Sequence, residues 1–368
     1  MKVLQVNKLY YPHIGGVENV VRTLVKGLKD KVDVEVLVAN EQPKSAVEFV
    51  DGVKVTRVAS LGRFRSAPMA PGFISQLKKI KSDIYHFHFP NPTGELSFLL
   101  AKPKGKLVVT YHSDIVRQKT LLKYYRPFLE KFLDQADRII AFSPNLIDNS
   151  PFLQRVKEKC TVIPFGIDAS WLALTPEVKR KAGEIRQKYR PKIAFFLGRL
   201  IYYKGVDYLI RAMAEVDGRL IIAGEGELGP ELKKLANEIG VRHKIEFVGT
   251  LPSEELTAYY HACDLFVLPS IEPSEAYGIV QLEAHACGKP VVSTNLPTGV
   301  PFVNKDGVSG IVVSPKDKDA LADAINRLFA DDELRIRLGA QAKERFEREF
   351  TSKIMIERTI KLYEEVLL

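Results

Sequence analysis

The sequence predicts an α/β protein built as two doubly wound domains in tandem. Three observations carry that expectation. The 368 residues suffice for two separate cores. Short runs rich in β-branched residues alternate with amphipathic stretches through the first half. The same alternation then restarts after Pro164-Phe165-Gly166-Ile167-Asp168, where the charge balance also changes.

In the first half, residues 2–6 and 34–39 read as strands with a helix over 17–28 between them. Residues 53–58 read as a further strand. A strand at 84–87 follows a helix at 73–81, and a strand at 106–110 follows a helix at 96–101. Strands at 138–141 and 160–163 close the series. Strand and helix alternating at this spacing imply a parallel sheet covered on both faces. In the second half the strands fall at 193–197, 219–223, 244–248, 265–268, 290–293 and 311–313, and the tail from about residue 319 is almost all helix. The expected domains are 1–168, 169–350 and a terminal helix over 351–368. Ligands of such sheets bind at the carboxyl ends of the strands, so two domains facing each other with those ends would enclose a cleft.

The composition is that of an ordinary globular chain, 46% hydrophobic and 27% charged. It holds no apolar run of about 18 residues, so no transmembrane helix is expected. The first residues read as a strand rather than a signal peptide. Three scattered cysteines, Cys160, Cys263 and Cys287, show no metal spacing and fit a reducing cytoplasm. Of the net charge of +9, residues 1–168 carry 26 Lys+Arg against 16 Asp+Glu, while the remainder is nearly neutral. A basic first half attracts polyanions: nucleic acid, anionic lipid or phosphorylated substrates. No nucleic-acid reading motif accompanies it, which argues against a nucleic-acid partner.

The richest stretch is Glu275-Ala276-Tyr277-Gly278-Ile279-Val280-Gln281-Leu282-Glu283. A loop containing Pro269 and Pro273 leads into a short helix that Gly288 and Pro290 end. The free backbone N–H groups of Gly278, Ile279 and Val280 at such a helix start make a cradle for a phosphate. Glu275 before the cradle and Glu283 about one turn inside it suit sugar hydroxyls on either side of a diphosphate. An ordinary helix start with an acidic residue answering the dipole explains the same letters.

Other stretches also admit two readings. Gly15-Gly16 follows the first strand and opens a helix, as a tight turn or as a place where backbone meets ligand. Arg199 and Lys204 flank the loop between a strand and the next helix and could grip two phosphates, or could be solvated loop charges. Gly224-Glu225-Gly226-Glu227-Leu228-Gly229 matches a dinucleotide-binding pattern, with Glu246 near the place of a ribose-binding acid. Two glutamates against a pyrophosphate argue against that reading. Asp317-Lys318-Asp319 has the look of a metal-binding pair, but helix capping explains it. His86 and His88 share a strand face, and His112 stands just past a strand's carboxyl end, where it could serve a substrate or the core. The run 116–133 mixes Arg117, Lys119, Lys123, Arg126 and Lys131 with aromatic residues, as a membrane-facing surface or as a core helix with a solvated face.

Taken together in their order, these motifs resemble the retaining glycosyltransferases of family 4, which have the GT-B fold. The matching pieces are Gly15-Gly16-Val17-Glu18, His112 after its strand, Gly198-Arg199 through Lys204-Gly205, Gly224-Glu225-Gly226, Phe247-Val248-Gly249 with Leu251-Pro252, the two glutamates Glu275 and Glu283, and Ala286-Cys287-Gly288-Lys289-Pro290-Val291-Val292. The resemblance implies two Rossmann-like domains facing a central cleft, the first for acceptor and the second for donor, with the last helix often crossing back to the first. It implies that Gly15, Gly16, Arg199, Lys204, Gly278, Ile279 and Val280 bind the donor diphosphate and that His112 and Glu275 serve the reacting sugar. Glu283 would meet the ribose, and Val248, Gly249 and Leu251 would lie near the nucleobase. Arg117, Lys119, Lys123 and Arg126 form a candidate membrane or acceptor surface.

One departure narrows the subgroup. Many members carry a glutamate after the Gly-x-Pro of a later loop, where this chain has Gly299-Val300-Pro301-Phe302. The surrounding segment resembles bacterial polysaccharide mannosyl- or rhamnosyltransferases and suggests a GDP-linked hexose, best mannose. The acceptor would be a glycan or lipid-linked sugar, and no metal or other cofactor is expected. A UDP- or ADP-glucose-dependent transferase of the glycogen or sucrose type is the alternative within the resemblance, and a non-catalytic nucleotide- and polyanion-binding protein is the alternative outside it. The expected location is cytoplasmic, extended to peripheral attachment on the inner membrane face.

Overall fold

The computed structural model describes residues 1–13, 15–64, 67–115 and 119–368. The backbone clusters into two compact units, one of Met1–Gly166 with Ser352–Leu368 and one of Ile167–Thr351. The crossing residues Ile167 and Asp168 thus go with the second unit.

The first unit begins with β1 (Lys2–Val6), α1 (Gly16–Leu28) and β2 (Asp33–Ala39), followed by β3 (Ala46–Val50) and β4 (Val53–Val58). A small hairpin, β5 (Arg63–Phe64) and β6 (Ala67–Pro68), leads to α2 (Phe73–Lys79), β7 (Ile84–Phe89), α3 (Pro92–Ala101) and β8 (Lys106–Tyr111). Then come α4 (Lys119–Gln135), β9 (Arg138–Ala141), the short α5 (Pro144–Asn149) and α6 (Pro151–Gln154), and β10 (Cys160–Val162). Among the described residues these strands form an eight-stranded sheet in the order β10-β9-β8-β7-β1-β2-β4-β3. It is parallel except at its edge, where β3 runs antiparallel to β4. That edge strand was not expected from the sequence. Its outward Val47 and Phe49 are exposed, so it lacks the buried apolar run that marks a central strand.

The second unit holds α7 (Pro176–Tyr189), β11 (Ile193–Leu197), α8 (Val206–Ala212), β12 (Arg219–Ala223), α9 (Gly229–Glu238), β13 (Ile245–Gly249), α10 (Ser253–Ala262) and β14 (Leu265–Leu268). It continues through α11 (Val280–Ala286), β15 (Val291–Thr294), α12 (Val300–Val303), β16 (Gly310–Val313), α13 (Lys318–Ala330) and α14 (Asp332–Glu349). Its sheet, β13-β12-β11-β14-β15-β16, is parallel throughout. The apolar strand cores 193–196 and Leu265–Leu268 are buried on both faces, as a doubly covered parallel strand requires.

In both sheets the strand order reverses beside the first strand: β1 is flanked by β2 and β7, and β11 by β12 and β14. Each reversal splays the outgoing loops apart and opens a crevice at the carboxyl edge. The last helix, α15 (Ser352–Leu367), belongs to the first unit and packs on α1. A Cβ added at Gly27 of α1 would stand 1.9 Å from the Ile356 side chain of α15, so only a bare backbone permits that approach.

Candidate active site

The crevice of the second unit gathers the strongest sequence signals. The loop after β11 carries Arg199 and Lys204, and the loop after β14 carries Glu275. The Ile271 amide donates to the Tyr203 carbonyl at 2.8 Å and ties the two loops together. Lys204 Nζ then lies 2.5 Å from Glu275 Oε2, with both side chains only 11% exposed. Ser270 Oγ donates to the same oxygen at 2.9 Å, and Thr294 donates to the Ser270 carbonyl. Glu275 is therefore held from two sides. Arg199 is exposed and has no ion-pair partner among the described residues.

Gly278 sits at φ 71°, and a Cβ there would meet Leu268 at 2.5 Å and Gln281 at 2.7 Å. Only glycine makes this turn. The helix starts at Val280, two residues later than Gly278, and the Gln281 and Leu282 amides bond back to the Gly278 and Ile279 carbonyls. The amides of Gly278, Ile279 and Val280 precede those bonds and form the leading end of the turn.

Inside α11, Glu283 Oε2 accepts a 2.5 Å hydrogen bond from Tyr260 Oη. Burial pushes the Glu283 carboxyl up to about 7, and the Tyr260 hydrogen bond works against that rise. At the end of β13, Gly249 has φ 71° and its Cα faces Glu225, while Val248 and Leu251 pack partly buried into the core.

The glycines of Gly224-Glu225-Gly226 allow a close packing of backbone on backbone. A Cβ on Gly224, at φ 115°, would stand 2.1 Å from the Gly198 carbonyl oxygen. The Gly224 amide bonds to Gly249 O at 2.7 Å, and the Leu200 amide to Glu225 O at 2.9 Å. The loop is thus a backbone clasp that fixes Gly198-Arg199-Leu200. Asp317 caps α13 through the Ala320 amide at 2.9 Å, which accounts for the Asp-Lys-Asp letters.

In the first unit, Gly15 has extended backbone and caps α1, and the space where a Gly16 side chain would project is open. The preceding loop is held by Arg57, which donates to the Tyr11 carbonyl, and by Arg22 stacked 3.8 Å over the Tyr11 ring. His112 follows β8 and is 7% exposed. It is joined to His88, and His86 and His88 do not stand as an open pair: their ring nitrogens meet Tyr363, Thr110, His112 and Gln5. Burial, reinforced by the neighbouring imidazole, keeps His86 and His112 well below the ordinary histidine range, and burial holds His88 at about 3.

In the basic-aromatic run, Leu129, Phe132 and Leu133 are core residues of α4, while Tyr124 and Phe128 are exposed. Lys123 is exposed, and Arg126 pairs with Glu130 at 2.7 Å. Arg117 and the side chain of Lys119 lie outside the described residues. Among the described residues no helix is long and apolar enough to cross a membrane.

Ser270, Thr294, Tyr260, Gln5 and Tyr363 escaped the sequence reading. Gln5 alone left a mark, as a polar residue inside an otherwise apolar strand. The others are ordinary polar letters whose partners lie from 5 to 358 positions away.

Residues 14–171 match the family described as Glycosyltransferase Family 4, and residues 178–345 match Glycosyl transferases group 1. The chain is 34% identical to O-antigen chain mannosyltransferase C of Escherichia coli, over 100% of this chain and 99% of that one. It is 33% identical to D-rhamnosyltransferase WbpZ of Pseudomonas aeruginosa, over 96% and 93% of the two chains. Among solved structures it is similar to Anabaena Alr3699/HepE, determined with UDP, at a TM-score of 0.79 and 21% identity over 99% and 100%. Sucrose-phosphate synthase from Thermosynechococcus elongatus gives a TM-score of 0.79 at 22% identity over 100% and 99%. These two show the fold, a pair of Rossmann-like domains of the GT-B type. The chain belongs to the family 4 glycosyltransferases.

Proposed function

We propose that this enzyme is a retaining, metal-independent hexosyltransferase. It moves mannose from GDP-mannose to a glycan or lipid-linked acceptor in cell-surface polysaccharide synthesis. The observation that carries the reading is the Lys204–Glu275 pair, 2.5 Å apart at the strand reversal of the second unit. A nucleotide sugar presents an anionic diphosphate directly beside a ring of hydroxyl groups. A cation and a carboxylate held side by side match that adjacency. The names of the two full-length relatives, a mannosyl- and a rhamnosyltransferase, support the sugar class.

In this reading Lys204 and Arg199 bind the diphosphate with the leading amides of Gly278, Ile279 and Val280. Gly15 and Gly16, at the start of α1, are assigned to the same diphosphate. These groups stabilise the charge that grows on the leaving diphosphate, so the chain's own residues supply what a metal otherwise would. Glu275 accepts from the sugar hydroxyls and His112 lies beside the reacting sugar. Glu283 accepts from the ribose, with Val248, Gly249 and Leu251 near the base. Attack comes from the face the diphosphate leaves, and the departing phosphate takes the acceptor's proton. No side-chain nucleophile is then needed, unlike the paired carboxylates of retaining glycosidases. Exposed Lys123, Tyr124, Arg126 and Phe128 of α4 form the surface that meets an anionic membrane or acceptor.

The test is a donor panel of GDP-mannose, UDP-glucose, UDP-galactose and UDP-N-acetylglucosamine, read by diphosphate release and the anomeric configuration of the product. Transfer from GDP-mannose with retention is expected. Turnover confined to a UDP-sugar, or an inverted product, refutes the donor or the mechanism respectively.

A further inference from the structure

The central strands of the first unit carry two unlike faces. One is apolar, with Leu4, Val6, Tyr85, Phe87, Leu107 and Val109 in a single core cluster. The other bears Gln5, His86, His88, Thr110 and His112, and Tyr363 of α15 reaches into it. The register places Gln5 beside His86 and His88 beside Thr110. Side chains in register on adjacent parallel strands share a face, so these groups form one continuous polar row.

Every link of that row can be given a direction. Gln5 Oε1, an acceptor only, lies 2.9 Å from His88 Nε2, so His88 Nε2 carries a proton and donates. Neutral His88 then has a bare Nδ1. That atom is 3.1 Å from His112 Nε2, so His112 Nε2 carries the proton and donates. On the other branch, Gln5 Nε2 donates to Tyr363 Oη at 2.9 Å. The Tyr363 hydroxyl donates onward to His86 Nδ1 at 2.5 Å, and His86 Nε2 donates to Thr110 Oγ1 at 2.7 Å. Neutrality of the three imidazoles follows from their burial, which disfavours the charged form.

We infer that this head-to-tail row, anchored by Gln5 and by Tyr363 of the last helix, locks His112 in the form protonated on Nε2, so that its Nδ1 is a dedicated hydrogen-bond acceptor for a sugar hydroxyl. Nδ1 has no protein partner among the described residues and is not among the buried atoms sealed without one. The functional half of the inference rests on the placement of His112 beside the reacting sugar. An acceptor on a donor-sugar hydroxyl raises electron density on the ring as the glycosidic bond breaks, and so favours the cationic transition state. In this form His112 has no proton to give to the leaving phosphate. Gln5 and His88 are positioning residues: they touch no substrate and act by choosing the tautomer, as carboxylates and carbonyls do behind other functional imidazoles.

The test reads the tautomer directly. The whole chain is labelled with 15N-histidine and the imidazole nitrogens are observed by long-range 1H–15N correlation, with His112→Asn to assign the His112 signals. A protonated Nε2 and bare Nδ1 are expected for His112 and for His88. A His112 protonated on Nδ1 means that the row runs in the opposite sense, and overturns the inference without any variant having to fold. Gln5→Leu removes the acceptor behind His88. His88 should then take its proton on Nδ1 and force His112 into the Nδ1-protonated form, with kcat falling about tenfold or more and donor KM changing less. An unchanged His112 spectrum in Gln5→Leu also overturns it. If instead the tautomer is as stated but His112→Asn transfers sugar at the wild-type rate, the row stands and the placement of His112 in the active site fails.

Discussion

Replacing Lys204 with methionine tests the pair at the centre of the donor site, because it separates what the pair does for the fold from what it does for the reaction. Lys204→Met keeps the length of the side chain and removes its charge. The partner Glu275 is then left as a buried carboxylate with the Ser270 hydroxyl at 2.9 Å as its remaining side-chain donor. Breaking a buried pair from one side typically costs about 3–5 kcal/mol. Here the carboxylate keeps Ser270 and both side chains still reach solvent at 11%, so about 2 kcal/mol is the better expectation. Removing one charge-assisted contact to the leaving group should cost a further loss of about 2–4 kcal/mol in transition-state stabilisation, on the order of 30- to 1000-fold in kcat/KM. The decisive comparison is the double variant Lys204→Met with Glu275→Gln. A neutral amide no longer needs the ammonium, so most of the lost stability should return in urea unfolding of the second unit. Activity should stay low, since the cation is still missing. If the double variant regains kcat/KM along with stability, the pair is a structural bridge and Lys204 grips no diphosphate.

Five further outcomes follow from the site. Arg199→Ala, at an exposed side chain without an ion-pair partner among the described residues, should lower kcat/KM while leaving the urea midpoint unchanged; a shifted midpoint with normal turnover would reverse its assignment. Glu283→Gln should chiefly raise donor KM, whereas Glu275→Gln should chiefly lower kcat, and steady-state kinetics showing the opposite split would exchange the two roles. Because Glu283 titrates at about 7 in the fold against 4.5 as a free group, its stabilising contribution is fully present below pH 4.5 and is lost as pH rises through 7; Glu283→Gln should therefore gain stability relative to wild type between pH 5 and pH 8, and identical slopes in both proteins would contradict this. Transfer should survive EDTA, and binding to anionic vesicles should weaken with salt and fall in Lys123→Glu, with sedimentation against neutral vesicles as the control.

The parts of this molecule that were legible in the sequence are those written in local letters. The strands of the second unit fall within one or two residues of their expected bounds because each is an apolar run closed by a turn. Gly278 and Lys204 were legible because glycine and a loop cation stand out at the ends of such runs. The edge strand β3 was not, since its exposed Val47 and Phe49 alternate without burial. Nor was the purpose of Gly224, which depends on a carbonyl at Gly198, 26 positions earlier and on the neighbouring strand. The histidine row was hidden for the same reason. His86 and His88 announce a shared face, but Gln5 and Tyr363, which decide their protons, are 358 positions apart.

That separation bears on how the protein is made. The strands of the first unit emerge early, yet α15, which covers their polar face, follows the whole of residues 167–351. While the second unit is synthesised and folds, the first must wait with Gln5 and His86 unpartnered by Tyr363. An uncovered aliphatic sheet would be sticky through that interval. The amide and imidazole groups of the row, set among Val3, Val36, Ile84 and Val108 on the same face, can hold water through that interval. The row that sets the proton on His112 therefore also interrupts, with wettable groups, what would otherwise be an unbroken aliphatic face on the nascent chain.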